Sequence, residues 1–300
     1  QSPPASGTRT GWLRTACAGK GFDGGTALVA NPAHLTTARL FTLPSTDPAE
    51  IRDIVELQAE KHTPYAKEEI LTDFHILEVD RAGYARVLLV ISHQDIVYRT
   101  LKLVEGMGWP LERVGLELEG LANWFRIAQP DARGETVLIA DLDQYATSVV
   151  ILQHDRPYFH RSVAIGMEQL AQDPIDGPGR LLAEFQRSLE AFEAEGIGLT
   201  VSRVVLTGQA GRLTELAQRI QQGLELPTTT LSPFEGCRLA DPALASGEAA
   251  TRVSFVSLVG LAMGPSQIDL TPKALKLRRA FEIRSRALVG LGAQVLAGLL

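Results

Sequence analysis

Residues 136–164, TVLIADLDQYATSVVILQHDRPYFHRSVA, contain three apolar runs that are separated by two short polar turns. The runs Thr136–Ala140, Ser148–Gln153 and Tyr158–Ala164 are rich in Val, Ile, Leu and aromatic residues, which is typical of β-strands. Turns of this length join neighbouring strands as hairpins. The stretch therefore predicts an antiparallel meander of three strands.

The residues after the meander alternate between helical and strand patterns. Apolar side chains recur at helical spacing on one face of Leu181–Glu195, and a buried-type strand is predicted at Val201–Leu206. A further helix is predicted at Leu213–Leu224. A meander followed by alternating helices and strands is the core order of the ribonuclease H-like α/β fold, which actin, sugar kinases and Hsp70 share.

The chain before the meander divides into a glycine-rich start and a region of regular pattern. Residues 1–26 hold six glycines and two prolines without a sustained period, so we expect a flexible leader. Residues 27–135 alternate between strand and helix patterns and are predicted to form a first lobe with an inserted subdomain, incomplete at its N-terminus. Residues 136–265 are expected to form the second lobe of a two-lobed fold.

Composition and motifs exclude several classes of function. The 300 residues are 45% hydrophobic and 21% charged, and the net charge of −6 is spread along most of the chain, which argues against nucleic acid as a partner. Cys17 and Cys237 are far apart and lie in no CxxC motif, and the histidines show no HxxxH pairing, so no metal site is predicted. Without a GxSxG motif, the Ser92–Asp95 stretch is interpreted as a helix cap and not as part of a hydrolytic site.

Five short stretches carry a resemblance by their order in the chain: Phe41–Pro44, Glu60–Glu69, Gly106–Trp109, Phe159–Ser162 and Leu206–Gly208. This order is found in the PilM family of pilus assembly proteins, and the chain resembles that family over residues 27–265. PilM proteins are relatives of the division protein FtsA and resemble the cytoplasmic part of the secretion protein GspL. The resemblance implies an actin-like scaffold at the inner-membrane platform of a type IV pilus or type II secretion system.

The nucleotide site that this resemblance implies is degenerate in the sequence. The family's second phosphate hairpin has a glycine where Asp143 stands, and its adenosine turn has a second glycine where Gln209 stands. The first phosphate hairpin is not recognisable before residue 27. We therefore expect neither catalysis nor a firmly bound cofactor, while Asp141, Thr147 and Gly208 remain the candidate residues for ATP and magnesium. The alternative is an ATP-switched protein of the same family.

A short motif follows the predicted second lobe. Gln267–Pro272, QIDLTP, resembles the opening of PilN proteins, which in the pilus family docks on PilM. The resemblance implies a PilM–PilN fusion or a GspL-like single chain, with Ile268, Asp269, Leu270 and Pro272 as partner-binding residues. An ordinary extended linker is the alternative.

The last residues combine a basic cluster with an apolar run. Residues 266–286 contain the PilN-like motif and, over residues 273–286, six cations against one acid, and residues 287–300 are uncharged. This order predicts the start of a transmembrane helix at 287–300, with the preceding residues on the cytoplasmic face of the inner membrane. The expected partners are PilN/PilO-like or GspE/GspM-like platform proteins. An amphipathic helix on the protein or membrane surface is the alternative.

Overall fold

The computed structural model describes residues 9–21, 24–132, 134–212, 215–239 and 253–281. Within those residues, no helix combines the length and the apolar character that crossing a bilayer requires. The transmembrane helix that the sequence predicts to start at 287–300 lies outside the described residues, as does the end of the basic segment.

The described elements are numbered in chain order. The helices are α1 Arg9–Ala18, α2 Pro48–Lys61, α3 Gln94–Met107, α4 Glu117–Ala128, α5 Met167–Gln172, α6 Gly177–Ala194, α7 Leu216–Leu224 and α8 Val256–Met263. The strands are β1 Ala27–Asn31, β2 Thr36–Leu43, β3 Ile70–Val79, β4 Ala85–His93, β5 Leu111–Leu116, β6 Thr136–Leu142, β7 Thr147–Gln153, β8 Arg156–Val163, β9 Arg203–Gly208 and β10 Thr228–Thr230. Residues 273–281 are also helical, and we call them the basic helix.

The sheet of the second lobe has the order β10-β9-β6-β7-β8. Strands β6, β7 and β8 pair antiparallel, whereas β9 and β10 run parallel to β6. All seven residues of β6 are buried, which is expected of a central strand that is covered on both faces. This order confirms the ribonuclease H-like fold that the meander predicted.

The first lobe contains two smaller sheets in the described residues. Strands β1 and β5 pair in parallel, and β2, β4 and β3 form a separate antiparallel sheet. The antiparallel sheet and α2 share a core of their own, which includes Ile51, Val55 and Leu89. Strands β1 and β5 join the main core with the sheet of the second lobe, and so do Leu77, Leu88 and Val90 of the antiparallel sheet. We call the antiparallel sheet with α2, which lies between β1 and β5 in sequence, the inserted subdomain.

Helix α8 packs closely against α4 of the first lobe, although the sequence division placed it at the end of the second. Both helices carry a glycine at the crossing, and a Cβ on Gly260 would lie 1.8 Å from the carbonyl oxygen of Gly120. Only glycine allows this approach of two backbones. The close crossing brings the residues after α8 onto the surface of the first lobe.

The structure differs from the predicted flexible leader at Arg9–Ala18, which is helical. This segment contains only one glycine, Gly11, and is otherwise rich in residues that helices tolerate well, such as Leu, Arg and Ala. It packs on α3, where a Cβ on Gly106 would lie 2.5 Å from Cγ2 of Thr10. The glycine-rich composition of residues 1–26 concealed this helix.

Candidate functional site

The residues after α8 cross the first lobe in an extended conformation. We call Ser266–Pro272 the docking segment, and the surface of α4, β5 and β3 that it covers the docking groove. The side chains of Ile268 and Leu270 are 0% and 1% exposed, although both belong to a segment without helix or strand structure. Burial of two such side chains contributes about 1.5–3 kcal/mol each.

A buried carboxylate of α4 holds the backbone of the docking segment. Oε1 of Glu119 accepts hydrogen bonds from the amides of Gln267 (2.8 Å) and Ile268 (3.0 Å), and Oε2 accepts one from the Ser266 hydroxyl (2.5 Å). Burial raises the pKa of Glu119, although these three bonds and the charge of Arg113 act in the opposite direction. Both carboxylate oxygens of Glu119 therefore accept hydrogen bonds from the docking segment.

The docking segment also continues the sheet edge at β5. The amide of Leu270 donates to the carbonyl oxygen of Val114 (2.8 Å), and the amide of Val114 donates to the hydroxyl of Thr271 (3.0 Å). The segment thus satisfies backbone groups that a bare strand edge would leave open. One backbone bond and one bond to a side-chain hydroxyl thus fix the extended segment beside β5.

Asp269 connects the docking segment to the inserted subdomain. Its amide donates to Oδ2 of Asp73 on β3 (2.8 Å), and its own carboxylate accepts from the Thr271 amide (2.9 Å) and pairs with Lys276 (3.0 Å). Burial opposes ionisation of Asp269, but the bonds from Thr271 and the charge of Lys276 outweigh it and lower the pKa. The buried residue Pro272 follows, and its carbonyl oxygen accepts from Leu275 in the first turn of the basic helix.

The structure brings all four predicted partner-binding residues into or beside the docking groove of the same chain. Sequence reasoning did not find the groove itself, of which Glu119 is the central residue. A signal was present, because the stretch ELEGLANWFRIA places Glu119 on a helix whose residues Leu118–Phe125 are buried throughout. A carboxylate in such a helix requires hydrogen-bond donors from elsewhere in the fold.

A second site lies between the lobes, and we call it the interlobe cleft. It measures about 720 Å³ and is lined from the first lobe by Ala30, Pro32, His34 and Glu117, and from the second by Asp141, Asp143, Ser148 and Ser162, with Ser254 and Ser257 before and on α8. Glu117 joins the two sides, because it accepts from the amide of Ala33 and from the hydroxyl of Ser148, both at 2.8 Å.

The two aspartates of the predicted phosphate hairpin lie at this cleft and contact Ser254, two residues before α8. Oδ1 of Asp141 accepts from the Ser254 hydroxyl (2.6 Å), and Oδ1 of Asp143 accepts from the Ser254 amide (3.0 Å) and the Gln144 amide (2.7 Å). Among the described residues, positive φ outside glycine occurs at His154 and Glu225. Asp143 is not among them, so its backbone angle does not require glycine, and it differs from the family's glycine in charge and bulk.

The other predicted nucleotide residues are placed differently. The Thr147 side chain is fully buried, and its hydroxyl donates to the carbonyl oxygen of Ile165 (2.6 Å). Gly208 has a φ of +69°, and a Cβ there would lie 2.3 Å from Oδ1 of Asp141, so this turn requires glycine. The side chain of Gln209 is buried next to it and donates to the carbonyl oxygen of Val253 (3.4 Å).

The charges of the interlobe cleft do not suit a polyphosphate. Its described lining includes the carboxylates of Glu117, Asp141 and Asp143 and no Lys or Arg. Like charges near a phosphate raise the free energy of binding unless a cation compensates. In the part of the chain that the structure describes, no group of three or more His, Cys, Asp or Glu residues is arranged to hold a metal ion.

The fold and these sites define the class of protein. The two lobes, with a ribonuclease H-like sheet in the second and an inserted subdomain in the first, form the actin-like ATPase fold. A family model described as type IV pilus assembly protein PilM matches residues 13–177, and the chain belongs to this family.

Two solved structures are similar to this chain. A PilM-PilN type IV pilus biogenesis complex matches with a TM-score of 0.71 at 19% identity, covering 88% of this chain and 90% of the other. The cytoplasmic domain of EpsL, an inner-membrane component of the type II secretion system of Vibrio cholerae, matches with a TM-score of 0.45 at 14% identity, covering 92% and 89%.

Proposed function

We propose that this PilM-family protein is a scaffold of the pilus or secretion platform that carries its own PilN-like docking peptide and hydrolyses no nucleotide. The observation that carries the proposal is the docking segment, which lies in a groove of its own chain with Ile268 and Leu270 buried and Glu119 bound to its backbone. A protein of the same fold has been solved as a complex of PilM with PilN. Here one chain supplies both parts.

A covalent connection favours docking within the chain. Only Gly264 and Pro265 separate the end of α8 from the docking segment, and the Pro265 carbonyl oxygen accepts from the Asn123 side chain on α4 (2.7 Å). A tether this short gives the segment a high effective concentration at the groove. A free peptide of the same sequence therefore competes poorly for it.

The experiment combines a disrupted segment with a free peptide. In the full chain, Ile268→Glu/Leu270→Glu places two charges in an apolar groove, so the segment leaves it and the groove becomes open. A labelled peptide of residues 266–279 should then bind the variant and not the unaltered chain. The matched control is Leu57→Glu, at a side chain on α2 that is 58% exposed, and it should leave the groove closed. Failure of the peptide to bind the variant would contradict the proposal.

The second candidate function is a nucleotide-switched assembly protein. It is favoured by Gly208, whose left-handed backbone and close approach to Asp141 form a tight turn at the position of the family's adenosine turn, and by the size of the interlobe cleft. Calorimetric titration with ATP and magnesium separates the two functions. The scaffold proposal predicts no binding in the micromolar range, and micromolar binding would promote Asp141, Thr147 and Gly208 to site residues.

We further propose that the protein works at the cytoplasmic face of the inner membrane and links motor components there to PilN/PilO-like or GspE/GspM-like partners. The support is the order of the sequence after the docking segment, in which a basic cluster precedes the uncharged residues 287–300. Cell fractionation of the full-length gene product tests this proposal. A product that is wholly soluble at low salt would contradict it.

A further inference from the structure

The basic helix has two different faces. Leu275 packs against the core, and the guanidinium of Arg279 donates to the carbonyl oxygen of Glu112, so this face contacts the protein. Leu277 and Phe281 are 71% and 73% exposed. Because residues four apart share a face of a helix, these two large apolar side chains form one exposed strip. Such a strip points to a contact that the described residues do not supply.

Cationic side chains border this strip on both sides. With about 100° of rotation per residue, Lys273 lies about 40° to one side of Leu277, and Arg278 lies about 60° beyond Phe281 on the other. The Lys273 side chain is 87% exposed, and its ion pair with Glu56 is long, at 3.5 Å. An apolar strip between cations is the pattern of a helix that lies in the interface of an anionic membrane.

The charge of the whole chain favours lipid as the occupant. The chain has a net charge of −6, yet residues 273–286 contain six cations and one acid, so the remainder is strongly acidic. An anionic leaflet would attract this segment and repel most of the rest of the protein, which fixes the side that approaches. The uncharged residues 287–300 follow directly in sequence.

We propose that the basic helix lies along the surface of an anionic lipid leaflet, with Leu277 and Phe281 inserted among the headgroups. This inference rests on the proposed membrane attachment and adds a second contact to it, because the helix is also joined to the docking segment through Asp269 and Lys276. The leaflet, the basic helix and the docking groove then form one continuous support for the first lobe. A force applied at the membrane is then transmitted to the first lobe through the basic helix.

The test places an environment-sensitive fluorophore at single positions of the full chain. Cys17 and Cys237 are replaced by Ala, and Leu277→Cys or Phe281→Cys is labelled with a nitrobenzoxadiazole group. The control is Leu57→Cys, another exposed leucine on a helix. Each protein is mixed with vesicles of phosphatidylglycerol and phosphatidylcholine, or of phosphatidylcholine alone, and vesicle binding is measured separately by flotation.

The expected result is a blue shift of emission, with quenching by nitroxide-labelled lipid, at positions 277 and 281 but not at 57, in the anionic vesicles. If the chain floats with the vesicles while both positions stay exposed to water, this inference is wrong and the membrane attachment stands. If no vesicles bind the chain, both fail. A blue shift that grows with protein concentration in the absence of lipid would assign the strip to a second copy and overturn the inference.

Discussion

The docking groove and the interlobe cleft are two grooves of one fold with opposite properties. The docking groove is filled, and each oxygen of Glu119 accepts from the segment that fills it. The interlobe cleft is about 720 Å³ in volume, and its aspartates bond instead to the residue that leads into α8. A filled groove with satisfied polar groups stabilises the fold, whereas an acidic open cleft contributes little.

This difference bears on the binding function that we propose. By resemblance to the family's pattern, Asp143 and Gln209 stand where the nucleotide site of actin-like proteins has glycine. The groove on the first lobe has complementary apolar and hydrogen-bonding partners for a peptide. We infer that the fold serves here as a frame for peptide docking, and the following predictions test that contrast.

The largest effect is expected from truncating the centre of the docking segment. Ile268→Ala removes a side chain that is 0% exposed and should weaken docking by about 2–4 kcal/mol. The matched change in the cleft, Asp143→Ala, loses two hydrogen bonds in a partly buried site and should cost about 1 kcal/mol. Hydrogen exchange in residues 266–272, with urea unfolding as a second measurement, compares the two. Equal losses of stability in the two variants would contradict the difference between the docking groove and the interlobe cleft.

The next effect concerns the carboxylate that holds the segment. Glu119→Ala leaves the amides of Gln267 and Ile268 without an acceptor, whereas the Ser266 hydroxyl keeps the carbonyl oxygen of Ile268 (2.9 Å), and the change should weaken docking by about 1–3 kcal/mol. Glu119→Gln keeps an acceptor for the two amides and removes the buried charge, so its effect should be smaller. Exchange rates of residues 266–272 in the two variants check this order. A larger effect for Gln than for Ala would contradict the assigned role.

The fold was largely predictable from sequence because its strands are marked by local pattern. The apolar runs of residues 136–164 and the strand that follows α6 specified the central sheet, and short turns determined its pairing. The helix Arg9–Ala18 was missed because glycine on both sides hides a short helical run, which packing on α3 stabilises.

The two sites were predictable to different degrees. The docking segment was found through its resemblance to PilN, but Glu119 was not, because it lies almost 150 residues earlier and only the fold brings it to the Ile268 amide. Similarly, the contact of Ser254 with Asp141 and Asp143 spans more than 100 residues. Local patterns carry no information about such partners.

The pH dependence of docking should have two components with opposite signs. The pKa of Glu119 is raised above its ordinary 4.5, so the docked state binds this proton more tightly, and its contribution is present at low pH and lost as pH rises through the raised pKa. The pKa of Asp269 is lowered below 3.8, so its contribution is present above that value and lost as pH falls through the lowered pKa. Hydrogen-exchange rates of residues 266–272, measured between pH 3 and 7 in Glu119→Gln and in Asp269→Asn, separate the two components.

The two variants should change the pH profile in opposite directions. Glu119→Gln should reduce the loss of exchange protection that occurs as pH rises. Asp269→Asn should reduce the loss that occurs as pH falls. If both variants keep the profile of the unaltered chain, then neither carboxylate is coupled to docking.

The smallest effect is expected from restoring the family pattern in the cleft. Asp143→Gly/Gln209→Gly removes one carboxylate and one side chain, and a single like charge in a solvent-filled cleft is worth about 1 kcal/mol. The affinity for ATP should therefore rise by no more than about tenfold, and Glu117 and Asp141 would still oppose phosphate. Calorimetry with ATP and magnesium measures the change. Tight binding of ATP by this variant would contradict the prediction, because Asp143 and Gln209 alone would then account for the weak affinity.

The contrast between the grooves is tested most directly by hydrogen exchange of the full, unaltered chain with and without ATP and magnesium. We predict strong protection of the amides of Ile268 and Leu270, comparable to that of β5, and no change anywhere around Asp141 and Gly208 when nucleotide is added. Rapid exchange in residues 266–272, together with new protection at Gly208 in the presence of ATP, would contradict the account.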